Sequence, residues 1–185
     1  VTEKRKIREQ LKNSEKKYRS VFENTGTAMM IVENDTTISE VNKQTEILTG
    51  YSQSEMENNM SWTDLVADKD KREQMLTYHK NRRKKEVKHA PPTQYEFKLI
   101  DKNKKIKHVM VSIDIIPDST KSVASLMDIT ARKNQEKRIR YLGYHDELTG
   151  LYNRHYFNEA LERLDTERQL PLSIIGGDVN GLKLI

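Results

Sequence analysis

The chain contains no cysteine. That absence excludes disulfides, thiolate nucleophiles, Cys-type zinc sites, covalent haem attachment and any flavin sensor that works through a cysteinyl adduct. Only four prolines and seven glycines punctuate its 185 residues, which leaves room for long unbroken helices. No apolar run approaches the ~20 residues that a bilayer crossing needs, and the amino end lacks the pattern of a signal peptide. Apolar residues make up 35% and charged residues 33%, wet for a compact globule and suited to exposed helices beside a modest core. Freedom from cysteine is compatible with a reducing cytosol, so a cytoplasmic placement is expected. Val1 does not look like a native start, and any membrane anchor would lie upstream in a longer parent.

The formal charge is +5, and much of the excess falls in the run from His79 to His89, HKNRRKKEVKH. Such a run could hold a phosphate backbone. It has no aromatic interleaving and no groove-reading motif, so it reads as a solvated helix end, and no nucleic-acid partner is expected.

Residues 2–24 read as one helix with Ile7, Leu11, Tyr18 and Val21 at 3-4 spacing and Ser14 filling the register. A stripe that narrow suits a coiled-coil seam and hence a homodimer; a helix lying on its own domain is the alternative. Asn24-Thr25-Gly26 ends it, Ala28–Val32 is a short strand, and Glu33-Asn34-Asp35-Thr36 is turn chemistry in which Asn or Asp tolerates positive φ. Thr37–Val41 completes a hairpin, Asn42 caps the next helix and Gly50 ends it. Short helical pieces through Trp62, Leu65 and Val66 lead to a longer helix, capped by Asp68 or Asp70 and running to about Lys85; Pro91-Pro92 closes that region. Two period-2 runs, Tyr95-Phe97-Leu99 and Val109-Val111-Ile113-Ile115, flank an Asp101–Lys104 turn, and a further strand spans Lys121–Ile129. The class is α+β: an antiparallel sheet with flanking short helices.

That order, with Val41-Asn42, Thr49-Gly50-Tyr51-Ser52, Glu55-Met56 and the ending Asp128-Ile129-Thr130, resembles the PAS sensor family over about residues 15–130. The resemblance implies a small-molecule or cofactor pocket, its ligand unknown. Met29, Ile31, Trp62, Met75, Tyr95 and Phe97 either line such a pocket or are plain core. Haem in such a domain would draw an axial ligand from the helical region holding His79. Lys80, Arg82 and Arg83 mark that helix as a wet surface, so no haem is expected.

Residues 131–145 read as a charged helical linker whose Arg132, Gln135, Ile139 and Leu142 form a loose heptad seam. After it, Asp146-Glu147-Leu148-Thr149-Gly150-Leu151 with Asn153-Arg154 resembles the opening of a GGDEF (diguanylate cyclase) domain, of which 146–185 would be the first part. Phe157, Leu161 and Leu164 predict a helix through Arg168, and Pro171–Ile175 predicts a buried strand ending in Gly176-Gly177-Asp178-Val179. This is not the signature loop of the family, which lies later. The resemblance assigns Asp178 and the Val179 carbonyl to Mg²⁺, the Gly181 and Leu182 amides to GTP phosphate, and Lys183 to the phosphate tail. Hard oxygen donors suit Mg²⁺ and helix-start amides suit anions. It also makes Asp128, Ile129, Thr130, Asp146, Asn153 and Arg154 the residues that couple sensor to output. Asn180, Gly181 and Leu182 depart from the common pattern, where a second acid and aromatic residues are usual. The implied function is a sensor governing conversion of two GTP to cyclic di-GMP, with this chain catalytically incomplete. The alternative is a degenerate GTP-binding domain that relays to a phosphodiesterase.

Overall fold

The computed structural model describes residues 2–84, 90–166 and 171–177. Asp178, Val179, Gly181, Leu182 and Lys183, named above for metal and phosphate, lie outside the described residues, as does the 85–89 part of the basic run. The chain divides into two compact units, residues 1–133 and 134–185.

The first unit opens with α1 (Thr2–Asn24), then β1 (Ala28–Val32) and β2 (Ile38–Val41). Two short helices, α2 (Lys43–Thr49) and α3 (Gln53–Met56), lead through a 3₁₀ turn at Trp62–Leu65 to α4 (Lys69–Arg82). Strands β3 (Gln94–Ile100), β4 (Ile106–Ile115) and β5 (Ser122–Asp128) follow, and α5 (Thr130–Tyr144) leaves the sheet. The five strands form one antiparallel sheet in the order β2-β1-β5-β4-β3, so the last strand sits in the middle between the first and the fourth.

One face of that sheet makes the core. Met30 and Val32 of β1, Ala124 and Leu126 of β5, Val109 and Val111 of β4 and Phe97 and Leu99 of β3 pack beneath Met56, Leu65, Val66 and Met75. Met30 lies opposite Ala124 in the ladder, and both point inward. Met30 and Val32, rather than Met29 and Ile31, therefore face this core, although Ile31 is itself buried. AMMIV is apolar throughout and carries no alternation, so its parity is set only by the strand it pairs with.

Asn42 holds this unit together. It is fully buried. Its Oδ1 accepts from the Met29 amide at 2.9 Å, the Thr45 amide at 3.1 Å and the Thr45 hydroxyl at 2.9 Å. Its Nδ2 donates to the Phe22 carbonyl at 2.9 Å, the Thr27 carbonyl at 2.9 Å and the Thr25 hydroxyl at 3.2 Å. One side chain thus caps α2, closes the end of α1 and pins the start of β1. At the other end of α2, Gly50 takes φ 77° as the left-handed cap.

Several boundaries differ from expectation. The left-handed residue of the β1–β2 turn is Thr36 (φ 82°), not Asn34 or Asp35. Asp35 is occupied in accepting from the Thr37 amide at 3.0 Å, which pushes the reversal one residue on. Asp68 is the cap of α4, and the helix ends at Arg82, short of Lys85.

The second unit holds the rest of α5 and α6 (Arg154–Leu164). α6 stops at Leu164 instead of reaching Arg168, closed by the Asp165 amide on the Leu161 carbonyl at 2.8 Å. Pro171–Ile175 forms no strand, and Ile174 and Ile175 are 60% and 97% exposed. A short apolar run becomes a strand only with a ladder partner, and none of the described residues offers one.

Asn42→Ala is expected to cost about 3 kcal/mol, since it strands several buried polar groups at once. Urea unfolding of the two proteins measures this. A loss under about 0.5 kcal/mol, the scatter of an ordinary surface change, would contradict it.

Candidate functional site

Two places in the first unit have the make-up of a site: a cavity in the core and the point where β5 becomes α5. The cavity, of about 40 Å³, is walled by apolar side chains including Met30, Trp62, Met75, Phe97 and Leu126. Trp62, Met75, Tyr95 and Phe97 of the expected set line it; Met29 and Ile31 do not. Its polar lining comes from His79, Arg82, Tyr95 and Ser122.

His79 is buried, against the expectation of a wet helix surface. Its Nε2 lies 3.0 Å from the Asn34 carbonyl, an acceptor, so Nε2 carries the hydrogen. Nδ1 then accepts from the Arg83 guanidinium at 3.0 Å. Both ring nitrogens are committed, so an axial haem bond would require breaking one of these contacts. Burial holds the imidazole below its ordinary pKa, opposed by the Asn34 carbonyl and reinforced by the Arg83 and Arg82 charges; Asp35 pulls weakly the other way.

Arg83 is likewise no solvated cation. It donates to the His79 carbonyl at 2.9 Å, the Thr120 carbonyl at 2.8 Å and the Ser122 hydroxyl at 3.1 Å. It therefore ties the end of α4 to the β4–β5 turn and to β5. Arg82 reaches the Pro92 carbonyl at 2.6 Å. The basic run is thus partly folded inward, because the main-chain carbonyls of Pro92, Thr120 and His79 need donors and the two guanidiniums are long enough to supply them. Charge counting alone gives no signal for this.

At the junction, Asp128 Oδ1 accepts from the Thr130 amide at 2.8 Å, and the Thr130 hydroxyl accepts from the His108 amide at 2.9 Å. Ile129 is buried and its amide bonds the His108 carbonyl at 2.9 Å. Glu96 on β3 takes Lys133 at 2.7 Å and Arg132 at 3.3 Å, and Lys133 holds its carboxyl below the usual range. The first turn of α5 is therefore fastened to both β3 and β4. The three junction residues named from sequence act together; Glu96 and His108 were not foreseen, and a strand-centre Glu is the one cue that pointed to a basic partner.

In the second unit, Asp146 Oδ1 accepts from the Thr149 amide at 2.9 Å and its hydroxyl at 2.8 Å, and Gly150 turns at φ 70°. Asn153 caps α6 through the Tyr156 amide at 3.0 Å and donates to the Gly143 carbonyl at 3.0 Å. Arg154 opens α6. Asp146 and Asn153 thus shape one turn, while Leu148 and Leu151 stay 96% and 69% exposed. Among the described residues no group of three or more His, Asp or Glu side chains could hold a metal, and no helix is long and apolar enough to cross a membrane.

The depressed His79 pKa gives stability a direction in pH. The unfolded imidazole, near its ordinary 6.5, binds a proton more readily than the native one. Stability is then complete above that value and falls as pH drops below it, until the native pKa is passed. Urea unfolding between about pH 7.5 and 5.5 should show a steeper loss for the wild type than for His79→Gln. Parallel curves would mean that the ring titrates alike in both states.

Comparison with known proteins bears on the first unit. A family model described as the PAS fold matches residues 16–113, more than half of the chain. Among solved structures, the PAS domain of an HTR-like protein from Haloarcula marismortui superposes with a TM-score of 0.53 at 19% identity, covering 68% of this chain and 99% of that one. A domain of a sensory box sensor histidine kinase/response regulator from Geobacter sulfurreducens gives 0.51 at 19% identity over 64% of this chain and 96% of its own. A LOV protein from Rhodobacter sphaeroides gives 0.51 at 15% identity over 69% and 73%. At such identities these likenesses establish the fold alone. No curated protein matches significantly. With the five-stranded sheet, its helical cover and the matched family model in agreement, the chain belongs to the PAS family.

Proposed function

We propose that this chain is the sensing and transmitting part of a signalling protein: the PAS domain at about 15–130 perceives a signal, and the helix of 131–145 passes it to a GGDEF output beginning at 146. The observation that carries this reading is α5. It leaves the central strand of the PAS sheet, is fastened at its first turn by Thr130, Ile129 and Glu96, and continues unbroken to Tyr144. Beyond it comes the turn built on Asp146 and Asn153, whose sequence resembles a cyclase opening.

In the implied longer protein, Asp178 and the Val179 carbonyl would hold Mg²⁺, the Gly181 and Leu182 amides and Lys183 would hold GTP phosphates, and two such domains would form cyclic di-GMP. A hard carboxylate with a main-chain carbonyl fits that metal. Bound Mg²⁺ supplies charge neutralisation and activation of the attacking hydroxyl.

An α-helix turns about 100° per residue. Seven residues inserted between Arg138 and Ile139 change its phase by only about 20°, whereas two change it by roughly 200°. Regulated cyclic di-GMP production by the longer protein should survive the first insertion and be locked on or off by the second, with Asp178→Ala as the silent control. Normal regulation in both would show α5 to be a flexible tether; product made at the normal rate by the control would remove the cyclase assignment.

The same reading needs two copies side by side. Ile7, Leu11, Val21 and Ile139 are exposed by 61%, 68%, 68% and 70%, apolar seams on α1 and α5 with the spacing that a partner helix fills. Leu11→Lys with Ile139→Lys should move the sedimenting mass from dimer toward monomer. An unchanged mass would locate the interface elsewhere.

A further inference from the structure

The buried His79 ring joins two parts of the domain through its two nitrogens. Nε2 donates to the Asn34 carbonyl of the β1–β2 turn at 3.0 Å, and Nδ1 accepts from Arg83 Nη1 at 3.0 Å. The second bond exists only while Nδ1 keeps its lone pair. A proton there sets N–H against N–H and cation against cation across the same 3.0 Å. Arg83 cannot give way at that contact alone. Its Nη1 also donates to the His79 carbonyl at 2.9 Å, its Nε to the Thr120 carbonyl at 2.8 Å and its Nη2 to the Ser122 hydroxyl at 3.1 Å. The guanidinium is a rigid plane, so moving one nitrogen moves the others.

The groups around the ring disfavour a cation there. From α4 come the Arg82 and Arg83 charges. The β1–β2 turn brings Asp35, which acts on the ring only weakly and accepts from the Thr37 amide, and Glu33, which pairs with Lys121 of the β4–β5 turn at 2.7 Å. Trp62 of the 3₁₀ turn faces the ring with its centroid 5.7 Å away, while Tyr95 on β3 and Ser122 on β5 share the cavity lining with it; all three are neutral. Burial and the two guanidinium charges hold the imidazole below its ordinary 6.5, so Nδ1 is bare at neutral pH and takes its proton on acidification.

Resting on the reading of this domain as a sensor, we propose that its signal is acidity: His79 Nδ1 is the proton-binding site, and its occupation withdraws Arg83 from the β4–β5 turn and from β5. The Asn34 bond survives the change, because Nε2 donates in the neutral ring and in the imidazolium alike. The ring therefore stays in place while the guanidinium leaves. Ser122 opens β5, and the same strand ends at Asp128, whose carboxylate holds the Thr130 amide at the start of α5. Release at Ser122 thus acts on the strand that carries the transmitting helix.

The test is a titration of the full 185-residue chain followed by nuclear magnetic resonance from about pH 7.5 to 5. Imidazole nitrogen shifts report His79, and amide shifts report Thr120, Ser122 and Thr130. One shared midpoint below 6.5 is expected for the ring and for the Thr120 and Ser122 amides, with a smaller movement at Thr130. His79→Gln keeps a side-chain N–H for the Asn34 carbonyl and should flatten the Thr120 and Ser122 curves. Subtracting its Thr130 curve also removes whatever His108, bonded to Thr130 through its main chain, contributes there. Arg83→Met should leave the ring titrating with its midpoint raised by about one pH unit, while Thr120 and Ser122 no longer follow it. Should that variant fail to fold, the comparison of wild type with His79→Gln decides alone. A ring that stays neutral until the chain unfolds would overturn the proton site. A ring that titrates while Thr120 and Ser122 stay fixed would overturn the part given to Arg83. Movement at the turn with none left at Thr130 after subtraction would sink acidity as the signal, since it would have no route to α5. Each failure leaves the domain a sensor of something else, and none bears on the output assigned to residues 146–185, which the insertion experiment tests separately.

Discussion

A single buried amide sets the geometry on which the rest of the sensor unit depends. Asn42 sits where three chain segments meet: the end of α1, the first residues of β1 and the start of α2. Each segment presents main-chain groups that its own secondary structure cannot satisfy, as the last carbonyls and first amides of any helix must. In a dry interior these groups need partners fixed in place, and only a side chain with both donors and an acceptor serves all three. The reciprocal bond from the Asn42 amide to the Met29 carbonyl, with the Thr45 hydroxyl on the same carbonyl at 2.7 Å, locks the arrangement from the other side. Because Met30 follows directly, this junction also orients the strand that gives the cavity one of its walls.

A similar economy explains the basic end of α4. Lysines and arginines at a helix C-terminus are ordinarily favourable through the helix dipole and remain in solvent. Here Arg82 and Arg83 serve loop carbonyls, and Arg83 doubles as the donor to a neutral imidazole. The guanidinium suits this because it is weakly hydrated and offers several N–H groups in a rigid fork. Arg83 joins the helical cover to the β4–β5 turn and to β5, the strand that runs to the junction with α5, while Arg82 joins it to the segment before β3. Cavity, cover and exit are thus connected through one cluster.

Much of this was legible in the sequence wherever a single residue decides a local outcome. Asn42, Gly50 and Asp68 are caps whose chemistry is local, and the alternation of Tyr95-Phe97-Leu99 fixes a face by itself. What escaped depends on distant partners. The inward face of AMMIV follows from its pairing with β5, nearly a hundred residues later, and no local pattern encodes that. Arg83 reads as one charge among many until the turn at Thr120 is brought beside it. Pro171–Ile175 has strand composition, yet composition cannot provide the neighbouring strand. The motif residues at the junction were found because they act within a few positions of one another; His108, which bonds Ile129 and Thr130, and Glu96, which takes Lys133, come from other strands.

The place of β5 has a mechanical consequence. It is laddered on both sides, to β1 over Ser122–Leu126 and to β4 along its whole length. A slip of one residue would turn Ala124 and Leu126 out of the core and break two ladders together, so that motion is forbidden. Movement by less than the ~3.3 Å rise of one residue remains available, as tilt or shear of the strand with its neighbours. The strand therefore behaves as a stiff beam clamped along both edges. It can convey a graded displacement to the helix welded to its end, and it has no second stable position of its own in which to come to rest.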